Sequence, residues 1–439
     1  MLVILRDRTY RHLFAAQVIA LLGTGLMTVA LGFLAYDLAG ADAGAVLGTA
    51  LAIKMIAYVG IAPLAQAFTD RLPRRSVLVV LDLIRGTIAL CLPFVTEIWQ
   101  IYLLIFLLQA ASAAFTPTFQ ATIPDILRKE EDYTRALSLS RLAYDLESLV
   151  SPMLAAALLS VLSFHNLFSG TVLGFLASAA LVLSVRLPSP QPAARRGVWD
   201  RTTRGIRIYL ATPRLRGLLA ISLAVAAAGS MVIVNTVVLV QGKFGLSEPQ
   251  VALALAAFGG GSMIAALTLP RLLDRLSDRP VMIAGATALI AGMTAGMAVG
   301  SYGALIALWL ILGFGYSVAQ TPAGRLLRRS AHPEDRPAVF AAQFALSHAC
   351  WLICYPLAGY LGAGAGMTAA FFAMAMIGLF GLAVASRLWP AGDPTDVVHD
   401  HPGMADDHPH LLAHGGGTRH RHALIIDDLH PRWTHPPKA

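Results

Sequence analysis

The sequence predicts an all-α membrane protein: twelve transmembrane helices in two six-helix halves, followed by a disordered cytoplasmic tail. Three observations predict it. Of 439 residues, 56% are hydrophobic and only 13% are charged, against about 25% charged in an average soluble domain. Apolar segments long enough to cross a bilayer core, about twenty residues each, recur along the chain twelve times. The cations between them fall in alternate loops. A mean hydropathy of +0.66 excludes a soluble protein, because too few polar residues remain to cover so large a core.

The segments lie at 13–36, 44–67, 77–96, 100–121, 136–160, 164–186, 217–241, 250–270, 280–300, 303–323, 337–361 and 367–388. Helices are expected, since a lipid-exposed backbone must satisfy its own hydrogen bonds. The first segment is too long and too glycine-broken for the core of a secretory signal, and no small-residue cleavage site follows it. Three cysteines, Cys91, Cys350 and Cys354, all sit in apolar runs, which argues against a disulfide framework.

Orientation follows from the positive-inside rule. Arg6, Arg8 and Arg11 precede the first segment, and Arg71, Arg74 and Arg75 follow the second. Further clusters are Arg128, Lys129 and Arg135, seven arginines between Arg195 and Arg216, then Arg271, Arg275 and Arg279, and finally Arg325, Arg328, Arg329 and Arg336. The alternate loops hold a single cation, Lys243. Both termini are therefore expected in the cytoplasm, with the chain in a bacterial inner membrane. A net charge of +8 would point to nucleic acid in a soluble protein. Here it records topology, and no nucleic-acid partner is expected.

The chain divides into an N-terminal half (1–186), a central cytoplasmic loop (187–216), a C-terminal half (217–389) and a tail (390–439). The halves share a weak repeat. The fourth segment ends with Thr116-Pro117, then comes an acidic loop (Glu130, Glu131, Asp132) and a segment carrying Pro152. The tenth ends with Thr321-Pro322, followed by Glu334, Asp335 and a segment carrying Pro356. Parallel six-helix repeats around a midplane site are a common transporter plan.

The loop after the second segment reads Gln66-Ala-Phe-Thr-Asp70-Arg71-Leu72-Pro73-Arg74-Arg75. It resembles the G-x-x-x-D-R-x-G-R-R/K motif of the major facilitator superfamily, with Gln66 and Pro73 in place of the two glycines. A degenerate copy, Asp274-Arg275-Leu-Ser-Asp278-Arg279, sits at the equivalent place in the second half, and the helix-5 Gly-Pro of its exporters is here Ser151-Pro152. Asp70, Arg71, Arg74 and Arg75 are thereby implied as the conformational loop. Within that superfamily, a histidine-rich tail together with the run Ser347-His348-Ala349-Cys350-Trp351-Leu352-Ile353-Cys354-Tyr355-Pro356 resembles the nickel-resistance exporters.

Ionisable groups inside spans are costly and are candidates for function. Asp82 and Arg85, three residues apart, share a helical face and can pair, as can Arg141 and Asp145, four apart. Glu147 lies about 200° round the helix from Asp145 and cannot easily share that arginine. Glu147 and Asp145 are candidate proton carriers or interhelical salt-bridge partners, and Lys54, ten residues into its span, needs an acidic partner. His348, near midplane, is a candidate ligand for Ni(II), Co(II) or Zn(II), or a hydrogen-bonded packing residue. Cys350 and Cys354 share a face and read as core.

Gln17, Thr24 and Thr28 fall on one face of the first segment; Gln109, Ser112 and Thr116 do so on the fourth. With Asn235 and Gln320 they match the hydrophilic lining that the family resemblance implies for these helices. The alternative is interhelical hydrogen bonding. This set has no aromatic cage and no acidic cleft, which disfavours bulky cationic drugs.

The tail differs sharply from the rest. Nine of the thirteen histidines lie there: His399, His401, His408, His410, His414, His420, His422, His430 and His435. Its net charge is −3, against +11 for the first 389 residues. Three His-x-His units place imidazoles close enough to chelate, while Pro409, Pro431, Pro436 and Gly415–Gly417 oppose a stable fold without metal. Divalent metal binding is the expectation; a pH-responsive or inert tail is the alternative.

No phosphate-binding loop, HExxH, Gly-x-Ser-x-Gly or Cys-x-x-Cys occurs, so neither an enzyme nor an ATP-driven pump is expected. The expected protein is a monomeric, proton-coupled exporter of Ni(II), with Co(II) as a further cargo. It keeps no permanent cofactor; its partners are metal ions, protons and the lipid bilayer. An exporter of an organic solute (a drug or siderophore) and a membrane-anchored metal sensor or buffer are the rivals.

Overall fold

The computed structural model describes residues 2–69, 72–127, 129–188, 198–273, 275–332, 335–392, 396–401, 409–413, 418–427, 429–430 and 432–433. The N-terminal half comprises α1 (Arg8–Ala39), α2 (Ala43–Thr69), α3 (Arg74–Cys91), α4 (Ile98–Ile126), α5 (Glu130–Leu159) and α6 (His165–Leu183). A short helix, α7 (Val198–Ala211), lies within the central connection. The C-terminal half comprises α8 (Pro213–Val237), α9 (Glu248–Leu273), α10 (Asp278–Gly296), α11 (Tyr302–Gln320), the short α12 (Ala323–Arg329), α13 (Arg336–Gly364) and α14 (Met367–Leu388). All twelve expected spans are present as long helices. Among the described residues nine runs are long and apolar enough to cross a membrane, the first of them (Arg8–Gly60) containing both α1 and the start of α2. The remaining spans are α5, whose apolar part is Val150–Leu159, and α10.

Local chemistry sets several boundaries. The Asp7 carboxylate caps α1 by accepting the Tyr10 N–H at 2.8 Å. Thr321-Pro322 separates α11 from α12, because proline cannot continue the hydrogen-bond ladder at that point. Pro152 and Pro356 lie inside α5 and α13, a placement tolerated in membrane helices that pack on neighbours.

The two halves repeat one another at their terminal-side ends. Arg75, at the start of α3, donates to the Leu183 carbonyl at the end of α6. Arg279, at the start of α10, donates to the Trp389 carbonyl at 2.8 Å and the Ser386 carbonyl at 3.4 Å, at the end of α14. Arg74 pairs with Asp125 of α4; in the other half the polarity is reversed, Asp278 pairing with Arg325 at 2.6 Å. Asp70, Arg71 and Asp274 lie outside the described residues.

The halves seal at the opposite end. A Cβ on Gly359 of α13 would stand 2.0 Å from the Gly44 carbonyl oxygen of α2, and one on Gly48 would stand 2.5 Å from that of Tyr355. Only glycine permits this backbone approach. Thr49 donates to the Tyr360 hydroxyl at 3.1 Å in the same seam.

The central connection holds more than a loop. Its helix α7 lies against α13: Arg204 grips Asp335 through two hydrogen bonds of 2.6 and 3.0 Å, and Tyr209 donates to Gln343. A Cβ on Gly205 would stand 2.2 Å from the Ala338 carbonyl oxygen. The amphipathic pattern (Ile206, Ile208 and Tyr209 inward, Arg207 outward) explains the docking.

The tail departs most from expectation. Its described residues include an antiparallel pair, β1 (Asp396–Asp400) and β2 (Arg419–Ala423), and one helical turn, α15 (Pro409–Ala413). Asp400 lies opposite Arg419, and Val397 opposite His422. Prolines and glycines weigh against a fold only where nothing else is buried. Here Leu411, Leu424 and Ile426 are buried, Ile426 within the main core.

Candidate functional site

Two constellations bring chemistry-bearing residues together. The first is in the tail. Alternation along β2 turns His420 and His422 to one face and leaves Arg419 and Arg421 exposed on the other. His401 follows β1, its backbone N–H bonded to the Thr418 carbonyl at 2.9 Å, and His410 comes from α15. One ligand nitrogen from each of His401, His410, His420 and His422 lies within 4.8 Å of the other three. His430 joins them. Nε2 separations are 3.1 Å for His420–His410, 3.2 Å for His410–His401 and 3.2 Å for His401–His430.

Ordinary hydrogen bonding does not account for this chain of contacts. A ring nitrogen carries either one hydrogen or one lone pair, so it makes one in-plane bond. The Nε2 atoms of His401 and His410 each approach two others. Nitrogens turned toward a common point are an arrangement that a divalent ion could occupy. With metal–nitrogen distances of about 2.0–2.1 Å, ligand nitrogens stand about 3.0 Å apart in an octahedron and about 3.4 Å apart in a tetrahedron.

Burial, then the charges of His422, His430, His401 and His420, pushes the His410 imidazole down to about 4. His401 is lowered by burial and then by its neighbours. Both are thus neutral near pH 7, the form that binds metal.

Asp427 organises the far side. His430 Nδ1 donates to its Oδ1 at 2.8 Å, the backbone N–H groups of Leu429 and His430 donate at 2.9 and 2.7 Å, and His332 Nε2 donates to Oδ2 at 3.2 Å. Burial acts to raise the Asp427 carboxyl, but the hydrogen bonds from His430 outweigh it and hold the group well below the usual carboxylate range. With its proton on Nδ1, His430 presents a lone pair at Nε2. His399 is paired with His420 in the strand register, but its side chain lies outside the described residues, as do His408, His414 and His435.

The second constellation is in the membrane. Lys54 of α2 and Glu147 of α5 lie within electrostatic reach of each other. A Cβ on Gly25 of α1 would stand 2.1 Å from Ser151 Oγ and 3.5 Å from Glu147 Cγ, so the glycine leaves room for this face of α5. Around the pair stand Tyr58, Tyr144 and Tyr355, each also within reach of Glu147. Lys54 Nζ lies 6.0 Å from the centre of the Tyr58 ring. His348 Nδ1 donates to the Phe344 carbonyl at 2.6 Å, and its ring lies 3.9 Å from that of Phe344 and 6.0 Å from that of Tyr58. The Trp351 ring lies tilted 5.0 Å from that of Tyr355, and Gly229 of α8 leaves room for it.

These aromatic rings surround the Lys54–Glu147 pair. Tyr58, Tyr144 and Tyr355 lie on α2, α5 and α13, and only the packing of these helices gathers them around one charge pair. The Asp82–Arg85 pair forms as the spacing predicts. Ser178 donates to Asp82 at 2.7 Å, and the Arg85 guanidinium lies between Phe115 (4.0 Å) and Phe175 (4.5 Å). The side chains of Arg141 and Asp145 lie outside the described residues.

The remaining polar residues divide. Gln17, buried on α1, accepts from Ser140 at 3.2 Å and hydrogen-bonds with Tyr144. Thr24, Thr28, Ser112 and Thr116 bond to carbonyls of their own helices. Gln109 is buried and Gln320 half-buried. Asn235 donates to the Ala358 carbonyl at 3.1 Å, tying α8 to α13; this is the interhelical role. Cys350 and Cys354 are buried thiols, as their apolar setting implies.

Twelve long helices among the described residues, in two repeating halves with a charge pair inside the first of them, have the plan of a secondary transporter. A family model described as the Major Facilitator Superfamily matches residues 13–237 and 219–405, and the chain belongs to that superfamily. Macrolide efflux protein A of Streptococcus pyogenes is 26% identical over 181 residues, covering 40% of this chain and 44% of that protein; the match thus spans less than half of that relative. The uncharacterized MFS-type transporter YfiS of Bacillus subtilis is 21% identical over 342 residues, covering 73% of this chain and 80% of that one. In fold, the chain resembles a bacterial homologue of the human lysosomal transporter Spinster, crystallised in an inward-facing, occupied conformation, with a TM-score of 0.69 at 13% identity over 88% of this chain and 97% of that one.

Proposed function

We propose that the protein exports a divalent transition metal of the Ni(II) and Co(II) class from the cytoplasm, as a monomer driven by inward proton flow, and so confers metal resistance. The observation that carries this reading is the convergence of His401, His410, His420 and His422 on one point, in a tail packed on the C-terminal half. That centre acts as the capture site at the cytoplasmic mouth, a location that follows from the alternating arginines. Glu147, held near Lys54, is the proton carrier, and His348, whose Nδ1 proton leaves a lone pair on Nε2, is the metal stop within the membrane. The seal at Gly44–Gly359 corresponds to the state open to the cytoplasm. Rocking of the two halves would then expose the site to the other side.

A second reading has its own support. The aromatic surroundings of Lys54 and Glu147, together with the likeness to macrolide efflux protein A, favour an apolar organic cargo. Deleting residues 391–439 and scoring the metal tolerance of producing cells separates the readings. Partial loss of tolerance supports a metal exporter with a capture tail. Unchanged tolerance contradicts it in favour of the organic solute, and complete loss contradicts it in favour of a tail that only senses or buffers metal.

A further inference from the structure

The tail centre is joined to the membrane body by a chain of named contacts. His430 Nε2 stands 3.2 Å from His401 Nε2, and its Nδ1 donates to Asp427. The other Asp427 oxygen takes the His332 Nε2 proton at 3.2 Å. His332 lies between α12 and α13, and its carbonyl accepts the Asp335 and Arg336 N–H groups at 3.0 and 3.1 Å as α13 begins. Asp335 in turn holds Arg204 of α7. A carboxylate behind a ligand histidine fixes the ring and raises its basicity. Here the same carboxylate also reaches the helix that seals against α2 and carries His348. Two further contacts dock the tail on α8: Arg214 donates to the Leu424 carbonyl at 3.4 Å, and its guanidinium lies 5.0 Å from the Trp433 ring.

We propose that His430 is a fifth ligand of the tail metal centre, and that Asp427 and His332 make the centre a metal-operated clamp on the start of α13. The inference rests on the tail's reading as a metal site; it does not depend on the transported cargo. Metal draws His430 toward His401, the ring carries Asp427 with it, and Asp427 holds His332. Without metal nothing draws the rings together, and these contacts compete with water. The clamp therefore couples metal in the tail to the helix that must move between the two access states, and the centre is regulatory as well as a point of capture.

The test uses the full-length protein in lipid nanodiscs with Ni(II) as probe, reading metal stoichiometry by equilibrium dialysis and backbone protection by hydrogen exchange. Wild type is expected to bind Ni(II) at the tail and to gain protection both in 396–433 and in 323–340. His332→Ala is expected to keep its Ni(II) affinity within about threefold while the gain at 323–340 disappears. Asp427→Ala is expected to weaken binding by about 10–100-fold, the range for loss of an outer-shell partner, and His430→Ala to weaken it at least as much. His332→Asn, which can still donate to Asp427, is expected to restore part of the protection. If wild type binds Ni(II) yet 323–340 gains no protection, or if His332→Ala gains as much as wild type, the clamp is overturned while the metal site stands. If the tail binds no Ni(II), both fall.

Discussion

The Nε2 atoms of His401 and His410 stand 3.2 Å apart, although one residue follows a β-strand and the other sits on a helical turn nine positions later. Each also approaches a second imidazole. Such crowding is stabilising only around a cation, so removing either ring opens the centre. His401→Ala or His410→Ala is expected to lower Ni(II) affinity at least tenfold, read by equilibrium dialysis. The same change at His165, on the N-terminal half, is expected to have no effect.

Glu147 lies close to a lysine within the membrane. Glu147→Gln removes the exchangeable charge but preserves shape, so proton-driven transport is expected to stop while the thermal unfolding midpoint changes little. Normal transport by a folded Glu147→Gln protein contradicts the proton-carrier role.

The Asp82–Arg85 pair is buried between aromatic rings on α4 and α6. Asp82→Ala leaves a buried guanidinium without its main counter-charge, a loss of about 3–5 kcal/mol. It is expected to show as a marked drop in thermal stability and yield. The double change Asp82→Leu with Arg85→Met is expected to recover most of that stability.

Gly359 meets the Gly44 backbone with no space for a methyl group. Gly359→Ala is expected to force α2 and α13 apart, so spin labels at Asp42 and Ala365 move to longer distance in pulsed-resonance measurements. An unchanged distance distribution contradicts the role of this seam as the seal.

The spans were legible because lipid leaves a helix little alternative, and the pairing of Asp82 with Arg85 was legible because three residues set it. The histidine richness of the tail was legible as His-x-His spacing; that His401, His410, His420 and His422 converge was not, because they come from a strand end, a helical turn and a second strand. Other features depend on contacts distant in sequence. His332 and Asp427 meet across 95 positions, and no periodicity announces that. Tyr58, Tyr144 and the Trp351–Tyr355 pair come from three helices, whose relative rotation is set by packing at glycines such as Gly25, Gly48 and Gly229. The α7 helix had a readable signal in the apolar–basic alternation of 198–211; its partner Asp335 did not. The tail hairpin was hidden by its prolines and glycines, because the burial of Leu424 and Ile426 depends on the body beneath them.

Metal uptake into everted membrane vesicles tests the central claim most directly. Ni(II) and Co(II) are supplied outside and an acid-inside pH gradient is imposed, with Glu147→Gln vesicles as the control. Gradient-dependent accumulation by wild type, lost in Glu147→Gln and collapsed by an uncoupler, is the predicted result. Absence of metal accumulation under the same gradient, with uptake of a macrolide by the same vesicles, would contradict it.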